Sequence, residues 1–297
     1  MKREMKSNIF RIISLIVIVS VFSGCTLFQK KESASPTIEQ VYSSILMDDN
    51  YRLNKYLIDG FPVDYEDDMG RNLLTVALMN NSVNSVQVLL NRGVNTEKRD
   101  ILGKTPIFYV RSLETLKKLC EDGANLNVYD NQNEPLLVYF IKNKPLAYSK
   151  YVVTQKVDFY LKDKNGWDAL FWAGINGDSA LIERMSERGA NFLEVDERGN
   201  YPIYYTYDDK KILELLKIKG YELKRVNKDK ENILGEVYLR AVANGFIPVV
   251  QQLLELGVNP NYMSYGDSAI SIAKDNENQE MLEFLNSKGI KWELTKF

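Results

Sequence analysis

A motif of the form Asp-x-x-Gly-x-x-x-Leu recurs along this chain about every 33 residues, and that period restricts the fold more than any other feature. Its copies begin at Asp67 (DDMGRNLL), Asp100 (DILGKTPI), Asp130 (DNQNEPLL), Asp163 (DKNGWDAL) and Asp196 (DERGNYPI). Weaker copies start at Asn227 (NKDKENIL) and Met263 (MSYGDSAI), so the intervals are 33, 30, 33, 33, 31 and 36. A second series, variants of Leu-Leu-x-x-Gly-Ala-x-x-Asn, places a turn residue at Gly60, Gly93, Gly123, Lys156, Gly189, Gly220, Gly257 and Gly289. Two series in phase describe one supersecondary unit used about eight times. A single unit of this size cannot bury its apolar stripe, so neighbours must stack.

Within a unit, segments such as SVNSVQVLLNRG and IPVVQQLLELG carry apolar residues at helical spacing. The glycine after each ends the helix in a conformation that costs glycine least. Asp and Gly then turn a hairpin, and a proline such as Pro106 fits the first turn of the next helix. The stretch Gly103-Lys104-Thr105-Pro106-Ile107 resembles the opening of an ankyrin repeat, Gly-x-Thr-Pro-Leu-His, with Phe108 where that family usually has histidine. The resemblance covers 38–297 and implies an all-α ankyrin-repeat solenoid, with first helices lining a concave palm and hairpins forming fingers. Several departures carry expectations of their own. The third and sixth repeats are short, around YVRSLETL and YTYDDKKI, so their first helix or its exit turn is truncated; the seventh is longer. Lys156 stands where glycine is usual, at a modest local penalty. Ile38 to Gly60 lacks a hairpin and reads as an N-terminal cap, and GIKWELTKF caps the other end with Trp292.

Residues 1–24 read as a signal peptide. Lys2, Arg3, Lys6 and Arg11 precede the apolar run Ile12 to Phe22, which is shorter than the ~20 residues a membrane-spanning helix needs. The exit Phe22-Ser23-Gly24-Cys25 resembles a bacterial lipoprotein box, which implies a lipid on Cys25 and cleavage before it; ordinary cleavage leaving a free cysteine is the alternative. Loss of 1–24 takes the formal charge from -2 to -5. Residues 25–37 then read as the lipidated cysteine and a flexible tether, and 38–297 as the array. The expected location is the cell envelope. In a Gram-negative cell that is the outer membrane, facing the periplasm; otherwise it is the outer face of the cell membrane.

Catalytic options are few. The chain has no histidine, which removes the common general base and the commonest metal ligand. Cys120 falls on the apolar side of a second helix and reads as core. The pairs Asp67/Asp68 and Asp208/Asp209 read as solvated turn acids, and NKDKEN (227–232) lacks the glycine and distal glutamate of a calcium loop. Mixed charges argue against a phosphate-tracking surface, so no nucleic acid is expected. The expectation is a non-enzymatic monomer without cofactor or metal.

A partner is therefore the function to look for. The position six after each repeat glycine falls opposite the buried stripe at ~100° per residue and should face the palm. It holds Tyr109, Tyr139, Trp172 and Tyr205 in four consecutive repeats, and Trp167 joins them from the finger side. This column is either a protein-binding groove or half-buried framework; the sequence leaves both open. Phe171 and Tyr204, in the histidine position, read as packing. Three functions follow: a membrane-anchored protein-binding module, of which an inhibitor or immunity-type lipoprotein is one form; a glycan or small-ligand binder; and a scaffold for a periplasmic enzyme.

Overall fold

The structure, a computed structural model, describes residues 35–218 and 220–290. The expected signal peptide, Cys25, the expected tether up to residue 34 and Trp292 lie outside the described residues. Eight antiparallel helix pairs follow one another from Thr37. Their first members are α1 (Ile38–Leu46), α3 (Leu73–Asn80), η1 (Pro106–Tyr109), α6 (Leu136–Asn143), α8 (Ala169–Asn176), η2 (Pro202–Tyr205), α11 (Ile233–Ala243) and α13 (Ala269–Asp275). The second members are α2 (Asn50–Ile58), α4 (Val83–Asn91), α5 (Leu113–Glu121), α7 (Leu146–Val152), α9 (Ser179–Glu187), α10 (Asp209–Leu216), α12 (Ile247–Leu256) and α14 (Gln279–Ser287). Among the described residues, the last finger alone pairs regularly enough to form two short strands, Met263–Ser264 and Asp267–Ser268, in antiparallel register.

The pattern of burial follows the stripe read from the sequence. Residues four, seven and eight after a repeat glycine, such as Leu74, Ala77 and Leu78 or Leu170, Ala173 and Gly174, are buried. They join one apolar cluster running from Val41 to Ile290. Helix starts are capped by short polar side chains: Asn72, Ser112, Asp168, Asp178, Asp208, Asn232, Ser268 and Asn278 each accept from a backbone N–H in the first turn. Asp208 is thus a cap rather than a merely solvated acid.

The two short repeats lose their first α-helix, leaving the single 3₁₀ turns η1 and η2. Each turn ends on carbonyls that an ordinary helix would satisfy, and a basic side chain from the next repeat meets them. Lys144 Nζ donates to the Val110 carbonyl at 2.8 Å, and the Arg240 guanidinium donates to those of Thr206 at 2.9 Å and Ile203 at 3.3 Å. Burial lowers the pKa of both groups, a cost accepted because a dry carbonyl is also expensive.

Two local expectations are corrected. Lys156 does not take up the left-handed conformation of the glycine it replaces, so no such penalty falls there. The chain instead leaves α7 by tight turns, Thr154 N–H to Tyr151 and Gln155 N–H to Val152, braced by Arg188 donating to the carbonyls of Val153 and Gln155. Left-handed non-glycine residues occur instead in the fingers, where Asn133 (φ 58°) and Lys230 (φ 66°) stand in the glycine's place, and in turns between paired helices, as at Asn81 (φ 60°). Cys120 packs against the core but is only half-buried.

Among the described residues no helix is long and apolar enough to cross a membrane.

Candidate functional site

Each finger is closed by the acid that opens its motif. Oδ1 of Asp67, Asp100, Asp130, Asp163 and Asp196 accepts from the backbone N–H groups two and four residues on, at 2.8–3.1 Å. The second oxygen remains available to the palm. In three repeats it takes the residue nine positions on: the Tyr109 hydroxyl donates to Asp100, Trp172 Nε1 to Asp163 at 3.0 Å, and the Tyr205 hydroxyl to Asp196 at 2.5 Å. The palm aromatics are therefore tied to their own fingers. In the first finger Arg71 takes this place on Asp67, at 2.7 Å and 2.8 Å; in the third, Lys104 stands 3.8 Å from Asp130.

Of the five predicted residues, Tyr109, Tyr139, Trp172 and Tyr205 lie in the first helix or turn of their repeats and Trp167 at the end of the Asp163 finger, and all are half-buried. They do not form one continuous column. Lysines interrupt it: Lys104 Nζ sits 4.5 Å from the Tyr139 ring centroid, and Lys142 Nζ sits 4.6 Å from that of Trp172 while pairing with Glu134 at 2.5 Å. Among the described residues Tyr139, unlike the other three tyrosine and tryptophan residues in the column, makes no bond to its finger acid; Phe108 packs against it edge-on at 5.3 Å. Three of the five do come together. Trp167 lies 5.3 Å from Trp172, 4.9 Å from Tyr205 and, stacked, 6.0 Å from Phe171.

Toward the C-terminus the palm turns acidic. Tyr204 packs edge-on against Tyr205 at 5.2 Å and donates its hydroxyl to Glu231 at 2.6 Å. Glu231 also accepts from Asn227 at 2.9 Å and from Tyr265 at 3.2 Å, and Tyr262 donates to Glu236 at 2.7 Å. The Tyr204 hydroxyl, with Asn227, holds Glu231 below the usual carboxylate range. Burial, then the bonded acid, raises the hydroxyls of Tyr109 and Tyr204 and pushes Tyr205 and Tyr262 up to about 12.

Sequence reasoning missed Lys104 and Lys142 as covers of rings, and the Asp-to-aromatic bonds. The nine-residue spacing was the signal for the latter. Asn200 and Asn227, both buried and hydrogen-bonded to each other at 3.1 Å, had no such signal. Away from the palm column, a groove of about 740 Å³ opens between α9 and α10 where the sixth repeat is short, lined by Ile182, Phe192, Glu214 and Ile218 among others. Among the described residues no cluster of three His, Cys, Asp or Glu side chains could hold a metal ion.

Comparison with known proteins decides the architecture. A family model described as ankyrin repeats (3 copies) matches residues 45–130. The crystal structure of the ankyrin repeat domain of Bcl-3 superposes with a TM-score of 0.53 at 14% identity, covering 83% of this chain and 97% of that one. The fold is an ankyrin-repeat solenoid. Among curated proteins, the chain is 27% identical over 224 residues to ankyrin repeat protein nuc-2 of Neurospora crassa, covering 72% of this chain and 20% of the relative. It is 28% identical over 150 residues to the palmitoyltransferase AKR1 of Lachancea kluyveri, covering 48% of this chain and again 20% of the relative. A putative ankyrin repeat protein of Rickettsia bellii is 25% identical over 127 residues, 41% of this chain and 70% of its own length. The chain thus spans about a fifth of the length of the first two relatives. What is shared is the ankyrin array, a protein-interaction module.

Proposed function

We propose that this chain is a non-catalytic protein-binding module held on a bacterial envelope membrane by an acylated Cys25, with the ankyrin palm as its binding face. One observation supports the palm: half-buried aromatic side chains recur at the same position of successive first helices or turns, held by finger carboxylates and covering lysines of the same array. Side chains already fixed lose little freedom when a partner docks. Tyrosine and tryptophan also offer large contact area with a polar tip. Catalysis has little to work with. The chain has no histidine, and burial pushes the Cys120 thiol up to about 11, away from the thiolate a nucleophile needs. The specific form we favour is an inhibitor or immunity-type lipoprotein that captures an incoming protein at the membrane surface.

The deciding experiment is a pull-down of the lipidated full chain from detergent-solubilised envelope, run beside Tyr139→Ala/Trp172→Ala. A partner lost from the double variant supports the palm; equal retention overturns it. Labelling with a radioactive fatty acid tests the anchor separately: label should enter the parent and be absent from Cys25→Ser.

A further inference from the structure

Two of the four column rings, Tyr139 and Trp172, carry a lysine, and among the described residues Tyr109 and Tyr205 do not. Lys104 lies over Tyr139 and Lys142 over Trp172. In the next repeat, Trp167 takes the motif position of Lys104 and Ile175 that of Lys142. Among the described residues no lysine or arginine sits over Trp167 or Tyr205; Arg198, on the next fingertip, is exposed, and its charge reaches the Tyr205 hydroxyl without covering the ring. Nor does the Trp167 indole N–H have a partner among them, whereas that of Trp172 is bound to Asp163.

The surroundings favour positive charge. Asp163 and Asp196 accept from Trp172 and Tyr205, which enriches the ring faces in electrons. Glu197 lies beside this finger, 3.2 Å from where a side chain on Gly166 would begin, and Glu231 lies beyond Tyr204. A cation over an aromatic face gains most where the ring is electron-rich and partly shielded from water.

We infer that the Trp167–Tyr205 cluster, with Trp172 as its wall, receives a lysine or arginine side chain from a basic segment of the partner. That side chain supplies the cation this rung lacks, and a backbone carbonyl beside it accepts from the Trp167 indole. The inference rests on the palm being the binding face, and it narrows the partner to one that presents a basic segment.

The probe is a short acetylated lysine–glycine peptide titrated into the full chain in detergent, followed by tryptophan fluorescence and calorimetry. Three matched ligands accompany it: a trimethyllysine peptide, a norleucine peptide and an N-acetylglucosamine oligomer. The lysine and trimethyllysine peptides should bind and the norleucine peptide should not. Trp167→Leu should weaken binding roughly threefold to thirtyfold, and Trp167→Phe less, across the usual range of cation–π contacts. Unchanged circular dichroism in both variants keeps the loss from being one of folding. Equal binding of the norleucine peptide, full binding by Trp167→Leu, or displacement of the peptide by the sugar oligomer each overturns the inference. So does absence of lysine-peptide binding at millimolar concentration. The pull-down tells the two ideas apart: a partner that depends on Tyr139 and Trp172, with no response to lysine peptide, leaves the palm standing and removes the basic segment.

Discussion

Asp100 and Asp163 close their fingers with the same hydrogen bonds, yet the two fingers meet their neighbours differently. The Asp100 finger is joined on both sides by backbone bonds, Ile101 N–H to Met69 at 3.0 Å and Asn131 N–H to Leu102 at 2.9 Å. Lys228 N–H to Arg198, at 2.8 Å, joins the fifth and sixth fingers in the same way. Among the described residues the Asp163 finger has no such bond on either side. Spaces of about 40 Å³ and 350 Å³ flank it instead, the first lined by Glu134, Lys142 and Asp163 and the second by Gly166, Asp168 and Phe171. The same position also carries Trp167 where the Asp100 finger carries Lys104. One repeat motif thus gives a finger tied by its backbone to both neighbours, and elsewhere a finger flanked by open space with Trp167 in the lysine's place.

The largest effect should separate the two phenylalanines that stand in the histidine position. Phe108 belongs to the continuous core and packs on Tyr139 of the next repeat, whereas Phe171 is buried beneath Trp167 but lies outside that core. Phe108→Ala should cost about 3–5 kcal/mol in urea unfolding. Phe171→Ala should cost less and chiefly alter the near-ultraviolet circular dichroism of the tryptophans. Equal unfolding shifts would show that the fourth finger is as much a part of the core as the second.

Next in size is the loss of a finger acid. Asp163→Ala strands two backbone N–H groups and the Trp172 indole, and should cost about 2–3 kcal/mol, as for hydrogen bonds to a charged acceptor. Asp100→Ala removes equivalent bonds but leaves the inter-finger backbone bonds in place. Amide exchange should therefore quicken more around 164–167 in the first variant than around 101–104 in the second. Similar exchange in both would erase the distinction between joined and unjoined fingers.

A smaller effect concerns the braces on the truncated turns. Arg240→Ala leaves the Thr206 carbonyl without its donor and the Ile203 carbonyl with only the Thr206 N–H, and should cost about 1–2 kcal/mol. Lys144→Ala, at a half-exposed site with one bond, should cost less. If the order reverses, the sixth repeat does not depend on its brace.

The helix pairs and the truncations were legible because marker spacing counts residues directly: a repeat shortened between two fixed turns has to lose helix. The places of Tyr109, Tyr139, Trp172 and Tyr205 in successive first helices or turns, off the fully buried stripe, were legible from helical geometry for the same reason. What stayed hidden is whatever stacking brings together. Lys144 and Arg240 each meet a carbonyl 34 residues away, and nothing in their own repeats marks them as braces. Lys104 could be placed on a finger from the sequence, but that it covers the Tyr139 ring depends on how closely adjacent repeats pack. Lys156 misled because the need for a left-handed residue depends on how the preceding helix ends, and α7 unwinds through tight turns first.

The smallest predicted effect is a pH dependence that sets Tyr205 against Tyr139. Burial, then the hydrogen bond to Asp196, pushes the Tyr205 hydroxyl up to about 12. Tyr139 is raised by burial and by the charges of Glu134 and Asp130, with no carboxylate fixing its proton. A tyrosine raised in this way keeps its proton in the folded chain after the unfolded chain, titrating near ~10, has lost it. Between those values the unfolded state binds fewer protons, so stability is fully present below the window and falls as pH rises through it. Melting temperature followed upward from pH 10 should decline less steeply in Tyr205→Phe than in the parent. Tyr139→Phe should keep more of the parent's slope, since only charge and burial act there. Were the two variants to flatten the decline equally, the finger carboxylates would not be what holds the palm hydroxyls, and the distinction between tied and lysine-covered rings would fall with them.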